Sequence, residues 1–386
     1  MALLTPERLL KISYSYPLLL NSWYLVACAC LTVVNEVDEI PKVLHFALRQ
    51  QLVRSDGFAD PNKDIGGNSR ITDSRITDSR SESRSDLENP LTNKYLLQLA
   101  SDSISSAAKY QDLTTVGVKL PDVLIPYGYY EKLPLKFNSS EDIHNVQFGV
   151  ASKLREVILK CSALAGLPKT INGLMLLRGV TPSSIQPGDR PLRPPTVLPG
   201  RLRSSVIVGE DAEGTLESEE VSDDSGEYSE AETPRSSLKS KSRAIFDVTD
   251  TIDGPISPSS ISTHQIQADL ARGSDFWNTI YSNKINTRVR RQMFVAYPDL
   301  WTHAFQHVYA PLLSFTDILS ARETSMCVVA CLIPQDVLPQ LKGHWKGAQN
   351  VGVSKEELDQ LRSLVLDICE WSGVKWKEGL GKISKL

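Results

Sequence analysis

The chain has 386 residues, 41% of them hydrophobic, which is enough for a sizeable core and for two or three average domains. Lys and Arg number 42 against 46 Asp and Glu, a formal net charge of -4; that balance argues against a nucleic-acid binder, which needs a concentrated basic surface to neutralise phosphates. The six cysteines, Cys28, Cys30, Cys161, Cys327, Cys331 and Cys369, sit mainly inside apolar helical patterns, so they read as reduced thiols and not as the framework of a secreted fold.

Thr5 and Pro6 form an N-cap followed by proline at the first helical position. Arg8 and Lys11 ahead of the apolar run from Trp23 to Val34 have the outline of a secretory leader. Glu7, Pro17 and Asn21 interrupt that outline, and the run is too short to span a bilayer, so a buried helical region from Trp23 to Gln51 is the better reading. Residues 1–54 are thus expected to be an N-terminal helical segment. Residues 55–90 turn to Asp, Ser, Arg and Asn, with the RITDS repeat starting at Arg70 and Arg75, and read as a flexible linker.

Helical patterning returns over 91–180, a segment expected to pack with the first. Leu154, Val157, Ile158, Cys161, Leu164 and Ala165 recur there at three and four and make one buried stripe. Residues 181–268 are proline-rich, then acidic from Glu210 to Glu232, then basic and serine-rich; they cannot bury enough apolar surface to offset ordering entropy and read as a disordered linker. Its Ser and Thr residues near prolines and acids are candidate phosphorylation sites, and an inert tether is the plainer reading. Residues 269–374 are helical again, and 375–386 form a polar tail. Strand signals are sparse, so the fold class expected is all-α, in two lobes with long insertions.

In the last helical segment Ser320 with Glu323, and Ser354 with Glu357, match capping boxes and mark two helix starts. Between them Asp336 and Pro339 suggest another start, with Leu338, Leu341, Trp345 and Ala348 as its core stripe and His344 beside it. Glu323, Cys327 and Cys331 are spaced by four, so one helical face carries a carboxylate and two thiols. A glutamate there can relay protons to a thiol; equally, Glu323 is explained by its cap, and a buried cysteine often serves as a small hydrophobe. A Cys327–Cys331 disulfide would distort the helix, since Cβ atoms four residues apart lie about 5–6 Å from each other and a disulfide needs about 3.5–4.5 Å. His344 is a candidate general base or a packing residue. His303 and His307 are one turn apart but lack the further ligand of a zinc motif, so no metal and no cofactor are assigned.

The segment from Phe276 to Gly373 resembles the AhpD-like, or carboxymuconolactone decarboxylase-like, superfamily. The residues that carry the resemblance are Arg322 and Glu323 opening a helix, the run from Gln340 through His344 to Gly352, and the capped start at Ser354 to Leu358. Leu154 to Val157, Ala165 to Pro168 and Asn172 to Leu174 are similar to another helix pair of that family. The overall likeness is to fungal peroxisomal members. It implies an all-α fold, homo-oligomerisation and a small-molecule substrate at a pocket of glutamate, thiol and histidine. AhpD-type members carry a C-x-x-C pair upstream of the histidine, whereas residues 332–343 here contain no cysteine. The acid-base pair of the decarboxylase type, Glu323 with His344, is therefore the pair carried over. Ala29-Cys30-Leu31 followed by His45 echoes Ala330-Cys331-Leu332 followed by His344, as a duplicated two-lobed protein would.

Ser384, Lys385 and Leu386 match the type 1 peroxisomal signal, an address read by the import receptor. Peroxisomal matrix localisation is expected, with no membrane span. The sequence supports two functions: an oxidoreductase of peroxide or thiol type, or an acid-base enzyme, using Glu323, His344, Cys327 and Cys331; or a non-catalytic helical interaction protein that kept the fold.

Overall fold

The computed structural model describes residues 2–54, 89–122, 132–188, 192–194 and 262–377. Nearly all of the expected 55–90 linker, most of the 181–268 linker and the Ser384-Lys385-Leu386 signal lie outside them; the described ends of the second linker are ordered, against expectation, in a 3-10 turn over Ser183–Ile185 with Ile185 buried and in the start of the helix Thr263–Ile280. Described residues form helices and no strand; the one isolated bridge pairs Val53 with Leu135. The all-α class is therefore correct. The chain divides into a unit of Met1–Gln186 with Arg272–Leu386 and a second unit, Pro187–Ala271. In the second unit the described helix is the N-terminal half of the helix Thr263–Ile280.

α1 (Pro6–Tyr14) begins as its sequence dictates, with the Thr5 hydroxyl accepting from the Arg8 amide. The region from Trp23 to Gln51 is two helices, α2 (Trp23–Val34) and α3 (Ile40–Gln50). They are divided by Asn35, which takes the left-handed conformation at φ 66° and sends the following amide, Glu36 N, back to Leu31 O at 2.9 Å. Every residue of α2 from Trp23 to Val33 is buried, as expected of a helix that is apolar all round. No described helix is long and apolar enough to cross a membrane.

α4 (Lys94–Thr115) packs on α1 and α3. α5 (Ser140–Ala165) starts at the Ser139 cap, ends at Gly166 with φ 89°, and is followed at once by α6 (Leu167–Val180). The anticipated stripe of α5 is buried at Leu154, Val157, Ile158 and Cys161, and α5 lies against α2 and the helix Ala321–Leu332. The C-terminal part contains α7 (Thr263–Ile280), α8 (Asn283–Ala296), α9 (Pro298–His303), a π-helix over Ala304–Leu313, α10 (Ala321–Leu332), α11 (Leu338–Asn350) and α12 (Lys355–Trp371). Both capping boxes form, Ser320 with Glu323 on α10 and Ser354 with Glu357 on α12. α11 differs from expectation at its start. Val337 occupies the N-cap, while Asp336 takes a left-handed φ of 57° and accepts instead from the Lys377 amide at 3.0 Å.

The centre of this unit is the packing of α2 against α5, α10 and α12. Small residues permit the approach: the Cys331 thiol reaches the Ala29 carbonyl oxygen at 3.7 Å. The two Ala-Cys-Leu segments that echo each other in sequence thus meet in the core.

Candidate active site

Glu323 occupies the third position of α10, and its cap role is fulfilled: Oε2 accepts from the Ser320 amide and hydroxyl, each at 2.9 Å. Its other oxygen pairs with Lys153 Nζ of α5 at 2.5 Å. Burial pushes the carboxyl pKa up, but the Lys153 ammonium and the Ser320 donors outweigh it and hold the group below its ordinary value. Glu323 is a fixed carboxylate at neutral pH.

Cys327 and Cys331 follow on the same face of α10 and are buried. The Cys331 sulfur lies 3.3 Å from that of Cys161 on α5. Burial pushes both α10 thiols well up, and the neighbouring Cys161 sulfur adds to the effect. Protonated, buried sulfurs are poor nucleophiles. All six cysteines are free and buried. Cys161 was legible as a core position of the α5 stripe, but nothing in its spacing pointed to Cys331.

His344 lies half-buried on α11, and its Nε2 is 3.3 Å from the Tyr281 hydroxyl and 3.4 Å from that of Tyr309; the two hydroxyls are 3.2 Å apart. Tyr281 directly follows α7 and Tyr309 comes from the π-helix, whose widened turn is closed by the Ser314 amide on the Tyr309 carbonyl at 2.9 Å. Trp277 backs both phenols, its ring 4.3 Å from that of Tyr281 and 4.6 Å from that of Tyr309. α11 is held against α7 by glycine: a Cβ on Gly347 would stand 2.6 Å from Ile280 Cγ2. Asn350 Nδ2 also donates to the Ile280 carbonyl at 2.8 Å. Burial lowers the imidazole pKa to about 4 and raises that of both phenols. At neutral pH this is an uncharged imidazole facing two intact hydroxyls: a hydrogen-bond acceptor beside two donors and, with its pKa held well below neutrality, a weak base. Sequence reasoning missed both tyrosines; the i, i+4 pair Trp277 and Tyr281 was the available signal.

Glu323 and His344 have separate partners: Lys153 and Ser320 engage the first, Tyr281 and Tyr309 the second, and no hydrogen bond between the two occurs among the described residues. The rings of His303 and His307 are 5.3 Å apart, and among the described residues no group of three or more metal-ligating side chains forms.

His45, the echo of His344, is fully buried, with Nε2 2.8 Å from the Val180 carbonyl and Nδ1 3.0 Å from Ser106 Oγ. Burial is the main reason its pKa falls to about 3. Both histidines therefore have folded pKa values below the unfolded value near 6.5, so between that value and the folded one the unfolded chain binds more protons. Their stabilising contribution is complete above about pH 6.5 and declines on acidification, by about 1.4 kcal/mol per pH unit for each histidine well inside the window. Urea unfolding at pH 7 and pH 5 is expected to show the loss, and His45→Gln to remove about half of it, the His344 share remaining. A profile already flat between those pH values would mean that neither imidazole is buried in its neutral form.

No protein-family model and no solved structure matches the chain. It is 33% identical over 381 residues to "Peroxisomal protein 2" of Saccharomyces cerevisiae, an alignment that covers 99% of each chain. It is also 40% identical over 106 residues to "Peroxisomal protein 2" of Schizosaccharomyces pombe, covering 28% of this chain and 49% of that one.

Proposed function

Since the chain belongs to the peroxisomal protein 2 family and is a peroxisomal protein, we propose that it works in the organelle's matrix as an AhpD-like acid-base enzyme on a small molecule. Import would run through the receptor that reads Ser384-Lys385-Leu386. The observation that carries the reading is the uncharged, half-buried His344 imidazole held against the hydroxyls of Tyr281 and Tyr309. In this reading a substrate carbonyl displaces one phenol. His344 Nε2 takes a proton from the adjacent carbon, and a tyrosine hydroxyl donates to the oxygen on which negative charge develops. Glu323, fixed by Lys153, positions α10 and does not carry the proton. Cys327 and Cys331 act as packing groups.

A panel of keto acids and lactones incubated with the full chain in deuterated water gives the test, with exchange at carbon followed by NMR. His344→Gln is expected to lose a factor of about 10²–10⁴ in exchange rate, the usual contribution of a positioned base. Tyr309→Phe is expected to lose less, with helicity retained in both. Exchange unchanged in His344→Gln, or absent throughout in the native chain, would overturn the reading; the second result would favour the non-catalytic interaction protein. The thiol oxidoreductase reading has one observation in its favour, the 3.3 Å contact between Cys161 and Cys331. Peroxide consumption that is lost in Cys331→Ser would favour it instead.

A further inference from the structure

α8 turns Ile285, Val289 and Met293 toward the core, at i, i+4 and i+8. Its opposite side carries Arg288, Arg291, Phe294 and Val295, all exposed. The apolar residues at its C-terminal end do not fold back: Phe294 is 54% exposed, Val295 74%, Tyr297 62% and Leu300 44%. Between Phe276 and Leu300 the sequence has four basic residues, Lys284, Arg288, Arg290 and Arg291, against one acidic residue, the exposed Asp299, in a chain of net charge -4. Arg290 stacks over Trp301 at 4.9 Å, and Arg288 and Arg291 make no ion pair among the described residues. Two open depressions of about 610 and 460 Å³ flank the helix; Arg288 and Arg291 line the first, Arg290 and Arg291 the second.

We propose that α8 with the turn to Leu300 is a docking element for an anionic phospholipid surface. The arginines meet lipid phosphates, and Phe294, Val295, Tyr297 and Leu300 enter the boundary between headgroups and acyl chains. Guanidinium groups beside exposed aromatic and aliphatic side chains on one face are the arrangement that holds a helix in the plane of a membrane interface. A second copy fits this face poorly, because a two-fold contact centred on α8 sets arginines against arginines. The site is separate from the His344 cluster and owes nothing to the acid-base reading.

Flotation of the full chain with vesicles of phosphatidylcholine, with and without phosphatidylserine, is the test. Binding is expected only with phosphatidylserine and should weaken as salt is raised. Arg288→Gln combined with Arg291→Gln is expected to weaken it about thirtyfold, from about a fivefold factor for each arginine at the surface. Phe294→Ser combined with Val295→Ser should bring it near background, with far-UV circular dichroism unchanged in both variants because all four side chains are exposed. Equal binding to both vesicle types, or none to either, overturns the proposal using the native chain alone. Sedimentation showing a dimer that Phe294→Ser dissolves would also overturn it, by assigning the face to protein contacts.

Discussion

Lys160→Met is expected to remove about 3–5 kcal/mol of folding stability, the range seen when one partner of a buried ion pair is deleted. Lys160 is 2% exposed, and its ammonium lies 3.7 Å from Glu156 one turn earlier on α5. The same nitrogen donates to the Leu313 carbonyl at 3.2 Å, the Phe315 carbonyl at 2.6 Å and the Thr324 hydroxyl at 2.8 Å. One charge therefore ties α5 to the end of the π-helix and to the first turn of α10. Methionine matches the length but donates nothing, so two carbonyl oxygens and the Thr324 hydroxyl lose their common donor, and the Glu156 carboxylate loses its counter-charge, in a site closed to water. Replacing Glu156 and Lys160 together by apolar residues should recover part of the loss, since removing both charges also removes the cost of keeping them dry. Lys153 on the same helix supplies the contrast. It is partly exposed, and Lys153→Met is expected to cost about 0–1 kcal/mol despite a shorter contact, 2.5 Å to Glu323. Urea unfolding of the three variants checks the order; a Lys160→Met cost no larger than that of Lys153→Met would show that the ammonium is hydrated.

What the sequence disclosed was what neighbouring residues determine. Thr5, Ser320 and Ser354 each cap a helix that their own following residues begin, so those starts could be read directly. The α5 stripe was legible for the same reason, as a period within one segment. Asp336 was misread because an acidic residue just ahead of a proline-led helix has the composition of a cap, while the turn from α10 required a left-handed residue there. The clusters around His344 and Cys331 come from tertiary pairing. Tyr281 and Tyr309 lie 63 and 35 positions from His344, and Cys161 lies 170 from Cys331. No local period encodes such a meeting. The π-helix was legible only in part: Pro311 inside it has no amide to donate to an i−4 carbonyl and so signals an irregular turn, but no side-chain pattern gives the i to i+5 register that the Ser314 amide closes.

Tertiary packing makes three glycine-to-alanine changes behave differently, although helix propensity alone would favour alanine by about 1 kcal/mol at each. At Gly343 the added methyl would meet only Tyr281 Cε1 at 3.8 Å, an ordinary contact, so Gly343→Ala is expected to be neutral or to stabilise by up to about 1 kcal/mol. At Gly347 the methyl would stand 2.6 Å from Ile280 Cγ2, whose branched side chain is buried and has little room to turn. Gly347→Ala is expected to cost about 1–3 kcal/mol through overpacking. At Gly273 the obstacle is main chain: the methyl would lie 2.5 Å from the Ala310 Cα, 2.7 Å from its Cβ and 3.1 Å from its nitrogen. Only displacement of α7 from the π-helix relieves that. The Arg272 bonds to the Ala310 carbonyl and Ser314 Oγ go with it, as does the seating of Tyr309 one residue away. Gly273→Ala should therefore be the most damaging of the three, beyond about 3 kcal/mol, and should disturb the Tyr309 and His344 cluster while Gly343→Ala leaves it unchanged. Thermal and urea unfolding of the series measures the energies, and the histidine NMR signals report the cluster. Should Gly273→Ala prove as stable as Gly343→Ala, the close approach of α7 to the π-helix would be wrong, and with it the placement of Tyr309 beside the imidazole.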